Sequence, residues 1–238
     1  MKKLFRPYQN LICIVVIGLA ASHGLGFDYG KPFWEGKPKL EAKLRDERAI
    51  LVSVRTDRGL LDKEADLFTI NGVGWVKRDA ETVFKLAQQF ERMKEISEHF
   101  REVKFEPKTN RLFVICQALG YQARMLFEVS STPAPVREIQ FKVIDGHFLG
   151  LHGVMGFQEL STKANDGSPL TQITIRIRHE AREIPIPRSL VGFALEVLVQ
   201  KVAGKMRAHF ETAKLDPLKA ESPKPEPVPG TASTPKDR

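Results

Sequence analysis

The residues whose types and spacing could do chemistry are few: three histidines, a Gly-Val-Gly run and one internal cysteine. His147 and His152 flank a glycine-punctuated hairpin, and His179 follows the alternating Ile173, Ile175 and Ile177 at the end of a strand. The spacing of His147 and His152 fits no metal motif, so no metal is expected. An imidazole is a common general acid or base, which makes His179 the side chain best placed to act on something held against that strand face. A hydrogen-bonded structural histidine at a strand end is the plainer reading. Gly72-Val73-Gly74 lacks the third glycine and the following helix of a dinucleotide fingerprint. There is no nucleophile elbow, paired-carboxylate signature or phosphate loop, and no cofactor is expected. Cys116, beside Val114 and Ile115, reads as a small buried hydrophobe. Cys13 lies in the leader, which would leave Cys116 without a disulfide partner in a mature chain.

The elements that must position these residues follow from periodicity. Ile50 to Thr56 and Asp66 to Val76 read as strands, the second continuous through Asn71-Gly72 with a softened bend. Asp79 is expected to cap a helix carrying Val83, Leu86, Ala87, Phe90, Met93 and Ile96 at three-to-four spacing, with a break near Phe90. Strands resume over Glu102–Glu106, Arg111–Leu119, Tyr121–Ser130, Arg137–Ile144, Phe148–Leu160 and Leu170–Glu183, separated by turn signals such as Asp145-Gly146 and Asn165-Asp166-Gly167. That order implies an antiparallel meander. Beyond Pro185 and Pro187, Arg188 to Lys214 reads as one long helix with Ser189 as a cap. From Leu190 to Ala203 only Glu196, Gln200 and Lys201 are strongly polar, so the helix should lie in the concave face of the sheet. The fold class is therefore α+β.

Both ends of the 238-residue chain differ from its middle. Lys2, Lys3 and Arg6, then an apolar run from Leu11 to Ala21, then small residues to Gly26 make the three-part layout of a cleavable signal peptide over residues 1–26. The expected location is periplasmic or otherwise exported, with an uncleaved anchor as the rival. Residues 27–49 read as an N-terminal extension, 50–215 as the domain, and the Pro-rich 216–238 as a tail too poor in apolar residues to pack. The whole chain carries a net charge of +8; losing its first three basic residues leaves 34 against 29 acidic ones, a net of +5. The charges are interleaved rather than massed, which speaks against nucleic acid as a partner. Peripheral contact with an anionic membrane surface is compatible with that balance.

Three stretches carry a resemblance. Asp79-Ala80-Glu81-Thr82-Val83-Phe84 is similar to a helix opening, Val143-Ile144-Asp145-Gly146-His147-Phe148 through Gly153 to Phe157 and Leu160 to a glycine-rich hairpin, and Ile184-Pro185-Ile186-Pro187-Arg188-Ser189-Leu190 to the approach to a last helix. In this order they resemble the START-like superfamily of polyketide cyclases/dehydrases and lipid-transport proteins, nearest to its bacterial coenzyme Q-binding-like members. The resemblance implies a helix-grip fold, a curved antiparallel sheet around a long C-terminal helix, with an apolar cleft between them. The partner it implies is a hydrophobic small molecule or lipid, such as a quinone or isoprenoid. The implied cleft walls are Tyr121, Met125 and Phe127; Phe148, Met155 and Phe157; Ile173, Ile175, Ile177 and His179; and Phe193, Val197 and Val202. Burying a large apolar side chain contributes ~1.5–3 kcal/mol, so any of these could equally be plain core. An exported binding protein is the expectation. The alternatives are a cyclase, dehydratase or hydrolase using the same cleft, and an envelope interaction protein with a filled cavity.

Overall fold

Alternation of apolar and polar residues along eight strands gives one antiparallel sheet in the order β1-β2-β8-β7-β6-β5-β4-β3. The computed structural model describes residues 32–58, 65–118, 121–181 and 188–215; the side chains of 118, 121, 181, 188–195, 197 and 198 lie outside that description. The strands are β1 (Leu51–Arg58), β2 (Asp66–Val76), β3 (Phe100–Glu106), β4 (Arg111–Ala118), β5 (Tyr121–Thr132), β6 (Arg137–Gly146), β7 (His152–Lys163) and β8 (Pro169–Ala181). The helices are α1 (Pro38–Asp46), α2 (Ala80–Ala87), a 3-10 turn at Phe90–Arg92, α3 (Met93–Ile96) and α4 (Arg188–Thr212). This is the helix-grip α+β arrangement.

Register decides what faces α4. Ile70, Gly72 and Gly74 of β2 stand opposite Ile177, Ile175 and Ile173 of β8, which stand opposite Gly153, Met155 and Phe157 of β7. Since strand side chains alternate, these residues share the concave face. Farther along the sheet Val103, Leu112, Val114, Cys116, Phe127, Ile139 and Phe141 continue the same buried layer. Gly153 makes this packing feasible: a Cβ there would stand 2.4 Å from Phe141 Cζ and 2.5 Å from the Arg176 carbonyl oxygen.

The short helices close one end of the grip. The Asp79 carboxylate accepts a 2.8 Å hydrogen bond from the Thr82 N–H, capping α2 as its sequence implies. Phe84 of α2 then meets Phe157 edge-on at 5.6 Å. The C-terminal carbonyls of α4 would otherwise be orphaned. Arg78 donates to that of Phe210 and, just past the helix end, to that of Ala213, where Arg92 donates to the Lys214 carbonyl.

Element ends shift by up to three residues from expectation, β3 for example beginning at Phe100 rather than Glu102, and two starts differ in kind. β7 begins at His152 rather than Phe148, because Phe148 adopts φ +62° between Gly146 and Gly150, also at positive φ. Residues 147–150 form the turn, and Leu151 leads from it into β7. Ser189 lies inside α4, which starts at Arg188, so it is not the cap.

Residues 32–50 add structure that periodicity alone did not announce. Pro38 opens α1, a position proline favours. Trp34 and Leu44 pack on Val73 from the outer face of the sheet, with Phe33, Leu40, Leu51 and Trp75 around them. Arg48, at φ +50°, turns the chain from α1 into β1. Its guanidinium pairs with Glu211 of α4, and its carbonyl accepts a 2.6 Å bond from Arg207. One step along β1, the Val54 N–H donates to the Glu196 carboxylate of α4 at 3.1 Å.

Candidate functional site

Under α4 the concave face is not filled. A cavity of about 70 Å³ lies between the helix and the rows Val52–Gly72–Ile175–Met155 and Ile50–Gly74–Ile173. Its roof is the α4 stripe Val199, Val202, Ala203, Met206 and Phe210, at the three-to-four spacing of one helix face. Arg207 is the only ionisable side chain among the described wall residues.

The expected wall residues divide by this geometry. Met155, Ile173, Ile175 and Val202 border the cavity. Met125, Phe127, Phe157 and Ile177 are buried in the packed core outside it. The side chains of Tyr121, Phe193 and Val197 lie outside the described residues, as do residues 1–31, 182–187 and 216–238 with the leader, helix approach and tail assigned to them. Sequence reading missed the rest of the wall, among it the floor residues Ile50, Val52, Gly72 and Gly74. Their signal was present, two branched residues and two glycines at alternate positions, but it becomes a wall only once β1 and β2 are paired.

His179 stands at the other end of the same face, opposite Phe68 on β2 and edge-on to Phe148 at 5.8 Å. Its Nδ1 is buried and finds no hydrogen-bond partner among the described residues. Burial pushes its pKa from 6.5 down to about 4, and the charge of His152 adds to the effect. The ring is therefore neutral at neutral pH. It does not border the cavity, so a catalytic His179 acting there has no geometric support. His147 is exposed and tied to the Arg124 backbone, accepting from its N–H and meeting its carbonyl oxygen at 3.2 Å. His152 Nδ1 lies 3.1 Å from the Gly150 carbonyl oxygen, on the outer face of the sheet.

The family model for polyketide cyclase/dehydrase and lipid transport matches residues 76–207, more than half of the chain. The chain belongs to that family. A search of curated proteins finds no match. Among solved structures, a START superfamily protein from Mycobacterium smegmatis is similar at 13% identity and TM-score 0.45, over 60% of this chain and 97% of that one. The ginseng major latex-like protein 151 from Panax ginseng is similar at 14% identity and TM-score 0.45, with the same coverage. Protein XoxI from Bacillus cereus is similar at 8% identity and TM-score 0.47, over 60% of this chain and 94% of that one. This polyketide cyclase/dehydrase and lipid-transport family member carries α1, β1 and all but the last residue of β2 ahead of the matched segment, which begins at Val76.

Proposed function

We propose that the chain is an exported binding protein that holds a hydrophobic small molecule or lipid under α4, and is not a catalyst. The observation that carries this reading is the cavity itself: apolar, roofed by the long helix, and floored by positions where the sheet has glycine. Family membership supports a hydrophobic ligand. A carrier needs an apolar space and no titrating group at a reactive centre. Arg207 is the only ionisable wall residue among those described, and a guanidinium offers donors but no acceptor. Export is supported by the basic start, apolar run and small-residue patch of residues 1–26. Protein purified from the envelope should begin between His23 and Phe27, checked by intact-mass or N-terminal sequencing; retention of Met1 would reject cleavage.

Size favours one competing reading enough to test it. The cavity of about 70 Å³ is roughly half the ~150 Å³ that holds one benzene. It would receive part of a ligand, or it marks an interaction protein whose interior is nearly filled. Methionine-methyl NMR separates these. Met155 and Met206 border the cavity, while Met93 and Met125 do not. Titration with linear alkanols should shift the Met155 and Met206 methyl signals saturably and leave Met93 and Met125 nearly still. No response, or equal response at all four, would defeat the carrier reading.

A further inference from the structure

β1 and β3 are the two ends of the strand order, so each has a hydrogen-bonded neighbour on one side alone. On β3 the direction of every backbone group follows from the ladder. The Val129 N–H donates to the Asn110 carbonyl, and opposed residues of an antiparallel pair alternate between bonded and non-bonded. Leu112, Val114 and Cys116 therefore bond to β5, while Arg111, Phe113 and Ile115 bond to β3. The Gln117 N–H, next in that series, donates to the His99 carbonyl as the alternation requires. Opposite Ile115, Phe113 and Arg111 stand Glu102, Lys104 and Glu106. Those three turn their backbone groups to β4, so Val103 and Phe105 point theirs out of the sheet. Among the described residues no side chain bonds to either of those N–H groups.

The side chains of the strand divide by face. Val103, 2% exposed, and Phe105, 4.8 Å from the Phe90 ring, turn to the core. Glu102 and Lys104 turn to the convex face, where they form an ion pair with each other. Laid antiparallel against a second copy about Val103, the strand sets Val103 opposite Val103 and Glu102 opposite Lys104, twice by symmetry. The central pair exchanges two outward N–H···O=C bonds. Its neighbours are then non-bonded pairs, the kind in which opposed side chains lie closest. Two other registers fail. Centred on Lys104, the pairing opposes like charges; centred on Phe105, it brings Pro107, which has no N–H, opposite Val103. The bulge between Phe100 and Glu102 keeps the contact short, and a short contact makes a weak, reversible dimer. The cavity lies under β1, β2, β7 and β8, away from this edge, so both copies keep theirs.

We propose that β3 is a self-association edge, on which a second copy of this chain adds antiparallel about Val103 with Glu102 of each copy opposite Lys104 of the other. Sedimentation velocity over a concentration series tests it. The wild-type protein should pass from monomer to dimer as concentration rises, more weakly at high salt. Glu102→Lys and Lys104→Glu should each weaken the dimer about tenfold, because each turns two attractive cross-strand pairs into repulsive ones. Both side chains are on the surface, and losing an exposed ion pair costs the fold little. An equimolar mixture of the two variants should regain the wild-type affinity as a heterodimer, and the double reversal should regain it alone. Glu106→Lys should change little, since Glu106 faces Phe100 in this register. A wild-type protein that stays monomeric at millimolar concentration overturns the proposal. So does a dimer indifferent to both single reversals, or one that the mixture fails to restore. A dimer weakened as much by Glu106→Lys as by Glu102→Lys overturns the register about Val103.

Discussion

Phe127→Ala should cost about 3–5 kcal/mol of folding stability while leaving the alkanol response of Met155 and Met206 unchanged. Phe127 is 0% exposed and meets Phe141 edge-on at 6.5 Å. Removing its ring deletes transfer free energy and leaves a hole that neighbouring strands can close only in part. It does not border the cavity under α4, so a variant kept folded at low temperature should bind as before. Urea denaturation measures the first quantity and the methyl titration the second. A loss below about 1 kcal/mol would mean the core relaxes freely around the site. A lost alkanol response in the folded variant would extend the binding site into β5.

Acid should weaken the fold through His179. Its pKa in the folded protein sits near 4, against 6.5 for an ordinary imidazole. Between those values the unfolded chain binds a proton that the folded chain refuses, so stability falls as pH falls through that window. Below both values the two states bind equally and the loss stops growing. By pH 4 the loss from this one group is about 3 kcal/mol. His152 and His209 are lowered by burial too and act in the same direction. The lowered carboxylates of Asp79, Glu81 and Glu95 add their own loss only at still lower pH, as they begin to protonate. His179→Gln isolates the histidine: its stability should fall less steeply than the wild type between pH 6.5 and 4. Parallel curves would show that the ring is solvated enough to take its proton when folded. At neutral pH the same variant should bind alkanols like the wild type, because the ring is uncharged there and outside the cavity wall.

How much of this was legible follows from what each pattern encodes. The alternation over Asp66–Val76 fixes a strand, and the structure has β2 over those residues. Ile173, Ile175 and Ile177 share a face in the sheet as their spacing requires. Asp79 caps α2 because a short carboxylate before an apolar helical run has an N–H within reach. These are local facts. Phe127 and Met155, by contrast, have the same pattern and the same strand face, yet one is core and the other borders a cavity. Alternation reports which side of the sheet a residue faces, while the position of α4 decides what covers it. The glycines at 72 and 74 stand in the sequence as an incomplete dinucleotide fingerprint. Their use as absent side chains needed the pairing of β2 with both β1 and β8. α1 was missed because its apolar stripe is thin: Leu44 is its one buried residue. The family match begins at Val76, so Ile50, Val52, Gly72 and Gly74 all lie ahead of it.

The hydrogen bond from the Val54 N–H to Glu196 has a consequence for how the protein behaves in a crowded compartment. β1 is the outermost strand on its side of the sheet, and an outer strand with free amides templates addition of a foreign strand, the first step of edge-to-edge aggregation. At Val54 the amide such a strand would capture is already satisfied, by a carboxylate whose helix lies across the approach. Arg55, Asp57 and Arg58 are exposed charges farther along the same strand, a further deterrent to stacking. Glu196→Leu would thus free an amide and remove a charge at once, leaving β1 open to sheet extension while every strand of the native sheet stays paired.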